Sequence, residues 1–196
     1  AATGMDALSH SLEAWCSPIY HPMAEGIAIE SIRLVREYLP RAVADGSDLK
    51  ARTQMLVASM MGATAFQRGL GAMHALAHPL GALYDAHHGM LNAVLMPYVL
   101  QANHSVIEAR ITHLARAIGI VNPGFDSFLG WVLELRETLT IMPDLAALGI
   151  DDSQAERIGR MAKADPSSGT NPLQFTANEY QALFLRALSG DLESAR

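Results

Sequence analysis

The chain has 196 residues, half of them hydrophobic and only 17% charged, where about 25% charged is usual for a soluble domain; this excludes a disordered chain. A formal net charge of −6, with no basic run or basic amphipathic helix, argues against nucleic-acid and membrane-surface partners. The single cysteine excludes an internal disulfide framework and suits a reducing, cytoplasmic setting. Such a surplus of apolar residues implies either an unusually large core or a surface meant to be covered.

The first residues, AATGMDALSH, have neither the basic n-region nor the apolar core of a signal peptide. They also lack an initiator Met, so the chain reads as though entered in mid-protein. A capping-box spacing, Thr3/Asp6, marks a first helix start. Residues 23–39 place Ala28, Ile32, Val35 and Leu39 on one helix face, and Pro40 and Gly46 are expected to break the chain into a turn. Residues 49–67 repeat the apolar pattern through Leu49, Leu56, Met60, Ala63 and Phe66. Ala58, Ser59, Gly62 and Ala63 there are small enough for close helix contact. Val94 to Leu100 favours a kinked helix over a strand, because of Met96, Pro97 and the flanking alanines. Further capping spacings fall at Ser105/Glu108, Ser153/Glu156 and Thr176/Glu179. Phe125, Phe128, Val132, Leu135 and Leu139 form another helix face, and Pro143 and Gly149 bracket a short helix or turn. The segment DPSSGTNP (165–172) is a loop rich in turn formers. No stretch alternates like a strand, none is long and apolar enough to span a membrane, and there is no repeat or linker. The expectation is a single all-α domain over 1–196, a multi-helix bundle of roughly seven to nine helices.

Four of the eight histidines lie between residues 74 and 88. His74 and His78 are spaced i, i+4, which puts both on one helix face. His88 comes close to four turns after His74; Pro79, Gly81 and Gly89 make two helical pieces around a bend as good a reading as one helix. Imidazole is the commonest metal-ligating side chain near neutral pH, and three converging ones can hold a catalytic cation. The alternative is a set of capping and core-edge histidines. Asp6 and His10 form a second i, i+4 pair. On its own, Asp6 reads equally as the acid of a helix start. Together the two clusters offer one carboxylate and three or four imidazoles from separate helices. Such a set suits Fe(II), Zn(II), Ni(II) or Co(II) and disfavours Mg(II) or Ca(II).

Competing chemistries fail on the string. There is no HExxH, no ExxH, no His-Asp dipeptide, no P-loop and no G-x-S-x-G elbow. A dinucleotide fingerprint begins at Gly69 and Gly71 but has His74 where its third glycine belongs. Cys16 reads as buried packing rather than a nucleophile.

The strings TGMDALSHSLEA (3–14), FQRGLGAMHALAHPLGA (66–82) and HGMLNA (88–93), with SIRLVREYLPRAVADGSDLKAR (31–52) and the TNP of residues 170–172, resemble the iron-containing (group III) alcohol dehydrogenases. The resemblance covers the whole chain but only the C-terminal half of such an enzyme. It implies an all-helical domain similar to that of dehydroquinate synthase, with a nicotinamide-binding N-terminal domain absent here. It places the metal ligands on Asp6, His10, His74 and His88, and puts His78 near substrate or nicotinamide, as a proton relay or orienting contact. Asp6 also speaks against the maleylacetate reductase branch, which usually has Asn there. Leu173 departs from the Arg that many relatives carry after TNP, and His87 has no counterpart. The implied reaction passes a hydride between an alcohol, or an aldehyde or ketone in reverse, and NAD or NADP, with Fe(II) or Zn(II) as Lewis acid. The implied partners are the missing domain and a second subunit in a homo-oligomer. Two other readings remain: a non-catalytic helical assembly module and a stand-alone helical metallohydrolase. The apolar surplus is expected at the surface beside the histidine cluster.

Overall fold

The structure is a computed structural model that describes residues 1–192. Eight α-helices account for most of it: α1 (Ala2–Cys16), α2 (Pro22–Ala44), α3 (Leu49–Ala65), α4 (Ala72–Tyr84), α5 (His88–Ala117), α6 (Phe125–Thr138), α7 (Ala155–Ala164) and α8 (Ala177–Ser189). Short 3-10 turns lie at Phe66–Arg68, Ala146–Leu148 and Pro166–Thr170, and no strand occurs among the described residues. None of the described helices is long and apolar enough to cross a membrane.

The long α5 is the axis. Its first half, from Leu91 to Leu100, is continuously buried. Helices α1, α4 and α6 each pack against it; α1 also packs against α2 and α3, and α7 packs against α4 and α8. One hydrophobic core runs through all of these contacts. The bend between α4 and α5 falls at Asp85, which closes α4 in the left-handed conformation (φ 52°), so His74 and His88 stand on two helices.

Several expected boundaries move. Pro40 does not end its helix, and α2 continues to Ala44; this far along the helix only one ladder bond is lost, close to an end already facing water. Of the four capping-box spacings, Thr176/Glu179 alone is a capping box. Thr3 and Ser105 lie inside helices, and α7 starts after Gln154 with no side-chain cap. The reason is geometric: i, i+3 is the capping distance and also ordinary neighbourhood within any helix.

The largest departure is α3. Leu49, Leu56 and Met60 are 75%, 69% and 70% exposed, so the expected apolar face looks outward. The buried face is Ala51, Ala58, Gly62 and Ala65. These small residues let α3 lie close on α1 and α2, where Ser11 Oγ donates to Ser31 Oγ (2.7 Å) and Ser31 Oγ to the Ala58 carbonyl (2.8 Å). Leu56 lines an open groove of about 370 Å³ with Thr3, Gly4, Ala7, Leu39 and Val43. Phe66, at the end of this outward row, packs its ring 5.3 Å from that of His10, so the apolar surface begins at the histidine cluster and runs away from it.

Candidate metal centre

Three helices deliver the site. Asp6 and His10 project from α1, His74 and His78 from α4, and His88 is the first residue of α5. Their convergence depends on close approach of α5 to α1 at Gly89. A Cβ there would lie 2.6 Å from the Ala2 carbonyl oxygen and 3.2 Å from Asp6 Cβ. With glycine in place, Asp6 Oδ1 stands 3.6 Å from His88 Nε2 and 3.9 Å from His74 Nε2. One ligand atom from each of the three lies within 4.8 Å of the other two.

His10 sits beside this triad rather than within it. Its ring stacks on that of His74, with centroids 4.8 Å apart and planes 20° from parallel. His78 lies at the rim, its ring 5.6 Å from and nearly parallel to His88, with Nδ1 2.7 Å from Asp165 Oδ2. Its side chain is 45% exposed. His87 caps α5, its Nδ1 accepting from the Met90 amide at 3.3 Å.

Glu13, Asn92 and Asp165 complete the arrangement, and the sequence reading passed over all three. Glu13 is buried on α1. Its Oε2 accepts from the Gly71 amide (2.8 Å) and meets His74 Nδ1 (2.7 Å), while Oε1 accepts from the Met73 amide (2.7 Å). One carboxylate therefore caps α4 and orients His74: with Nδ1–H donated to Glu13, the Nε2 lone pair faces Asp6 and His88. This is the usual relation between a ligating imidazole and its supporting acid. Gly71 makes room for it, since a Cβ there would fall 2.9 Å from Glu13 Oε1 and 2.9 Å from Asn171 Oδ1. The TNP loop serves the same end. Thr170 Oγ1 donates to the Leu70 carbonyl (2.6 Å), and Asn171 Oδ1 accepts from the Ala72 amide (3.1 Å). Leu173 is partly buried against the core.

Electrostatics follow from this packing. Burial lowers the pKa of His10 and of His88, outweighing the nearby Asp6 carboxylate, and so favours their neutral, ligating forms. At His74 burial acts in the same direction, but Glu13 beside it, with Asp6 and Asp165, outweighs burial and raises its pKa. Two imidazole nitrogens and a carboxylate oxygen, with one tautomer fixed from behind, match the donor preferences of a divalent transition cation.

Comparison with known proteins decides the family. A sequence profile described as the Fe-containing alcohol dehydrogenase family, C-terminal, matches residues 1–188. The chain belongs to the iron-containing alcohol dehydrogenase family. Within it, 4-hydroxybutyrate dehydrogenase of Cupriavidus necator is 36% identical, the match covering 96% of this chain and 51% of that protein. Alcohol dehydrogenase 4 of Schizosaccharomyces pombe is 37% identical over 96% of this chain and 45% of its own length. Among solved iron-type structures, a 1,3-propanediol oxidoreductase superposes with a TM-score of 0.91 at 35% identity, covering 96% of this chain and 51% of that one. The chain thus spans about half the length of the relatives it matches, and its helical architecture superposes on about half of the solved oxidoreductase.

Proposed function

We propose that this chain is the metal-binding helical part of an NAD(P)-dependent alcohol dehydrogenase, a single domain in which Asp6, His10, His74 and His88 hold one divalent cation. Fe(II) is the cation assigned, and Zn(II) is the competitor that the same nitrogen-rich set accepts. The observation that carries the reading is the convergence of Asp6 Oδ1, His74 Nε2 and His88 Nε2 from three helices. His10, stacked on His74 beside the three, would be the fourth residue to hold the cation.

When bound, the cation supplies Lewis acidity toward an alcohol or carbonyl oxygen, and a nicotinamide bound mainly by another domain supplies the hydride acceptor. This chain's residues do the positioning. Glu13 fixes the tautomer and direction of His74. His78, its Nδ1 held by Asp165 at the rim, would exchange a proton between substrate and solvent through Nε2.

The test is metal content rather than turnover, because the matched relatives are about twice as long. Purified chain given Fe(II) or Zn(II) anaerobically should retain close to one equivalent after desalting, and Asp6→Ala or His88→Ala should retain little. Retention of none by the unaltered chain would overturn the proposal in favour of a silent helical module.

A further inference from the structure

We infer that Asn92 is a positioning residue of the cation site, its buried carboxamide holding the Asp6 carboxylate and spacing the donor atoms of His74 and His88. The inference rests on the cation reading above. Asn92 lies one turn after His88 on α5, on the same face, and is fully buried. Its Nδ2 stands 2.8 Å from Asp6 Oδ1, 3.2 Å from His74 Nε2 and 3.1 Å from His88 Nε2. One amide nitrogen thus touches all three converging ligand atoms.

An NH2 group has two hydrogens, and here it faces three acceptors. The shortest contact goes to the charged one, Asp6, and the second hydrogen is shared between the two imidazole lone pairs. At the other end of the same amide, Asn92 Oδ1 is buried and has no hydrogen-bond partner among the described residues. A stranded buried acceptor opposes folding, and an apolar side chain of similar shape would avoid it. The amide's side-chain contacts all go to the three ligand atoms.

The three contacts differ in what a cation would do to them. An imidazole lone pair serves one partner at a time, so the hydrogen bonds to His74 and His88 give way on loading. A carboxylate oxygen has further acceptor capacity, so the bond to Asp6 is retained. Asn92 therefore keeps the donor atoms apart and correctly aimed in the ion-free protein, and afterwards restrains Asp6 alone.

The experiment compares the unaltered chain with Asn92→Leu and Asn92→Ala. It measures Zn(II) affinity by competition with a chromophoric chelator, the visible spectrum of the Co(II)-loaded chain, and the urea midpoint of the ion-free chain. Both variants should bind Zn(II) about 10- to 100-fold more weakly, with an altered Co(II) spectrum. The ion-free midpoint of Asn92→Leu should stay close to that of the unaltered chain, since loss of the stranded oxygen offsets loss of the contacts to Asp6 and His74. Affinity within twofold of the unaltered chain in both variants would overturn the inference while leaving the cation reading intact. Weaker binding accompanied by a lower ion-free midpoint in both would make Asn92 a structural residue and also overturn it. An unaltered chain that binds no cation would overturn the cation reading and the inference together.

Discussion

Glu13→Gln isolates the residue on which α4 and His74 both depend. The carboxylate accepts three hydrogen bonds, from the Gly71 and Met73 amides and from His74 Nδ1. A glutamine in the same place has one acceptor oxygen. Its best orientation puts that oxygen where Oε2 stands, keeping Gly71 and His74, and turns the NH2 toward the Met73 amide. Two buried donors then face each other. A lost hydrogen bond to a charged group is worth about 1.5–3 kcal/mol, and a stranded buried donor costs about 1–3 kcal/mol more. Relief of the carboxylate's own desolvation offsets part of this. The ion-free chain should therefore lose about 2–4 kcal/mol in urea unfolding. Divalent affinity should fall about 10- to 100-fold, because the acid that raises the basicity of His74 is gone. The two readouts test different halves of the argument. Unchanged stability would refute Glu13 as the cap of α4, and unchanged affinity would refute it as the support of His74.

Two further predictions concern the core. Burial pushes the Cys16 thiol up to about 12, whereas in the unfolded chain it ionises near its ordinary value of about 8.5; a raised acid stabilises the fold below the unfolded value and withdraws that stability as pH rises. Urea stability should therefore fall by about 1–2 kcal/mol between pH 8 and pH 10 on account of this group, and Cys16→Ala should show a shallower alkaline slope; an identical slope would refute the assignment. On α3, Met60→Gln should change stability by less than about 0.5 kcal/mol, whereas Ala58→Leu should cost about 1–3 kcal/mol or more by forcing α3 away from α2; the reverse order in thermal melts would refute the observed facing of that helix.

The legible parts of this molecule are those where the pattern repeats along one helix. Ala28, Ile32, Val35 and Leu39 are buried as their spacing requires, and so are the five apolar positions of α6 and its end. The i, i+4 pairs of α1 and α4 supplied the metal candidates for the same reason. Glu13 was available by that logic, since Asp6, His10 and Glu13 are spaced 4 and 3 apart and share a face; an acid on a helix reads as solvated unless its neighbours across the fold are known. Asn92 carried a similar signal, one turn from His88. Asp165 carried none, because its link to His78 spans 87 positions and is made by tertiary packing.

The facing of α3 shows why apolarity alone cannot decide such cases. Burial of a helix face stabilises through the area removed from water, but how much can be removed depends on how near the neighbouring backbone can come. At Gly62 an added Cβ would stand 3.0 Å from Ser11 Oγ and 3.1 Å from the Ala7 carbonyl oxygen, and 3.3 Å from His10 Cβ. The same small-residue face thus packs against the α1 turn that carries His10. Turning Leu56 and Met60 inward would push α3 outward by the width of those side chains and take support from that turn. Placement of the donor atoms constrains α1, and α1 constrains α3. Part of the chain's apolar surplus consequently stands on the outer surface, starting at Phe66 against His10, while alanine, glycine and serine fill the contact beneath it.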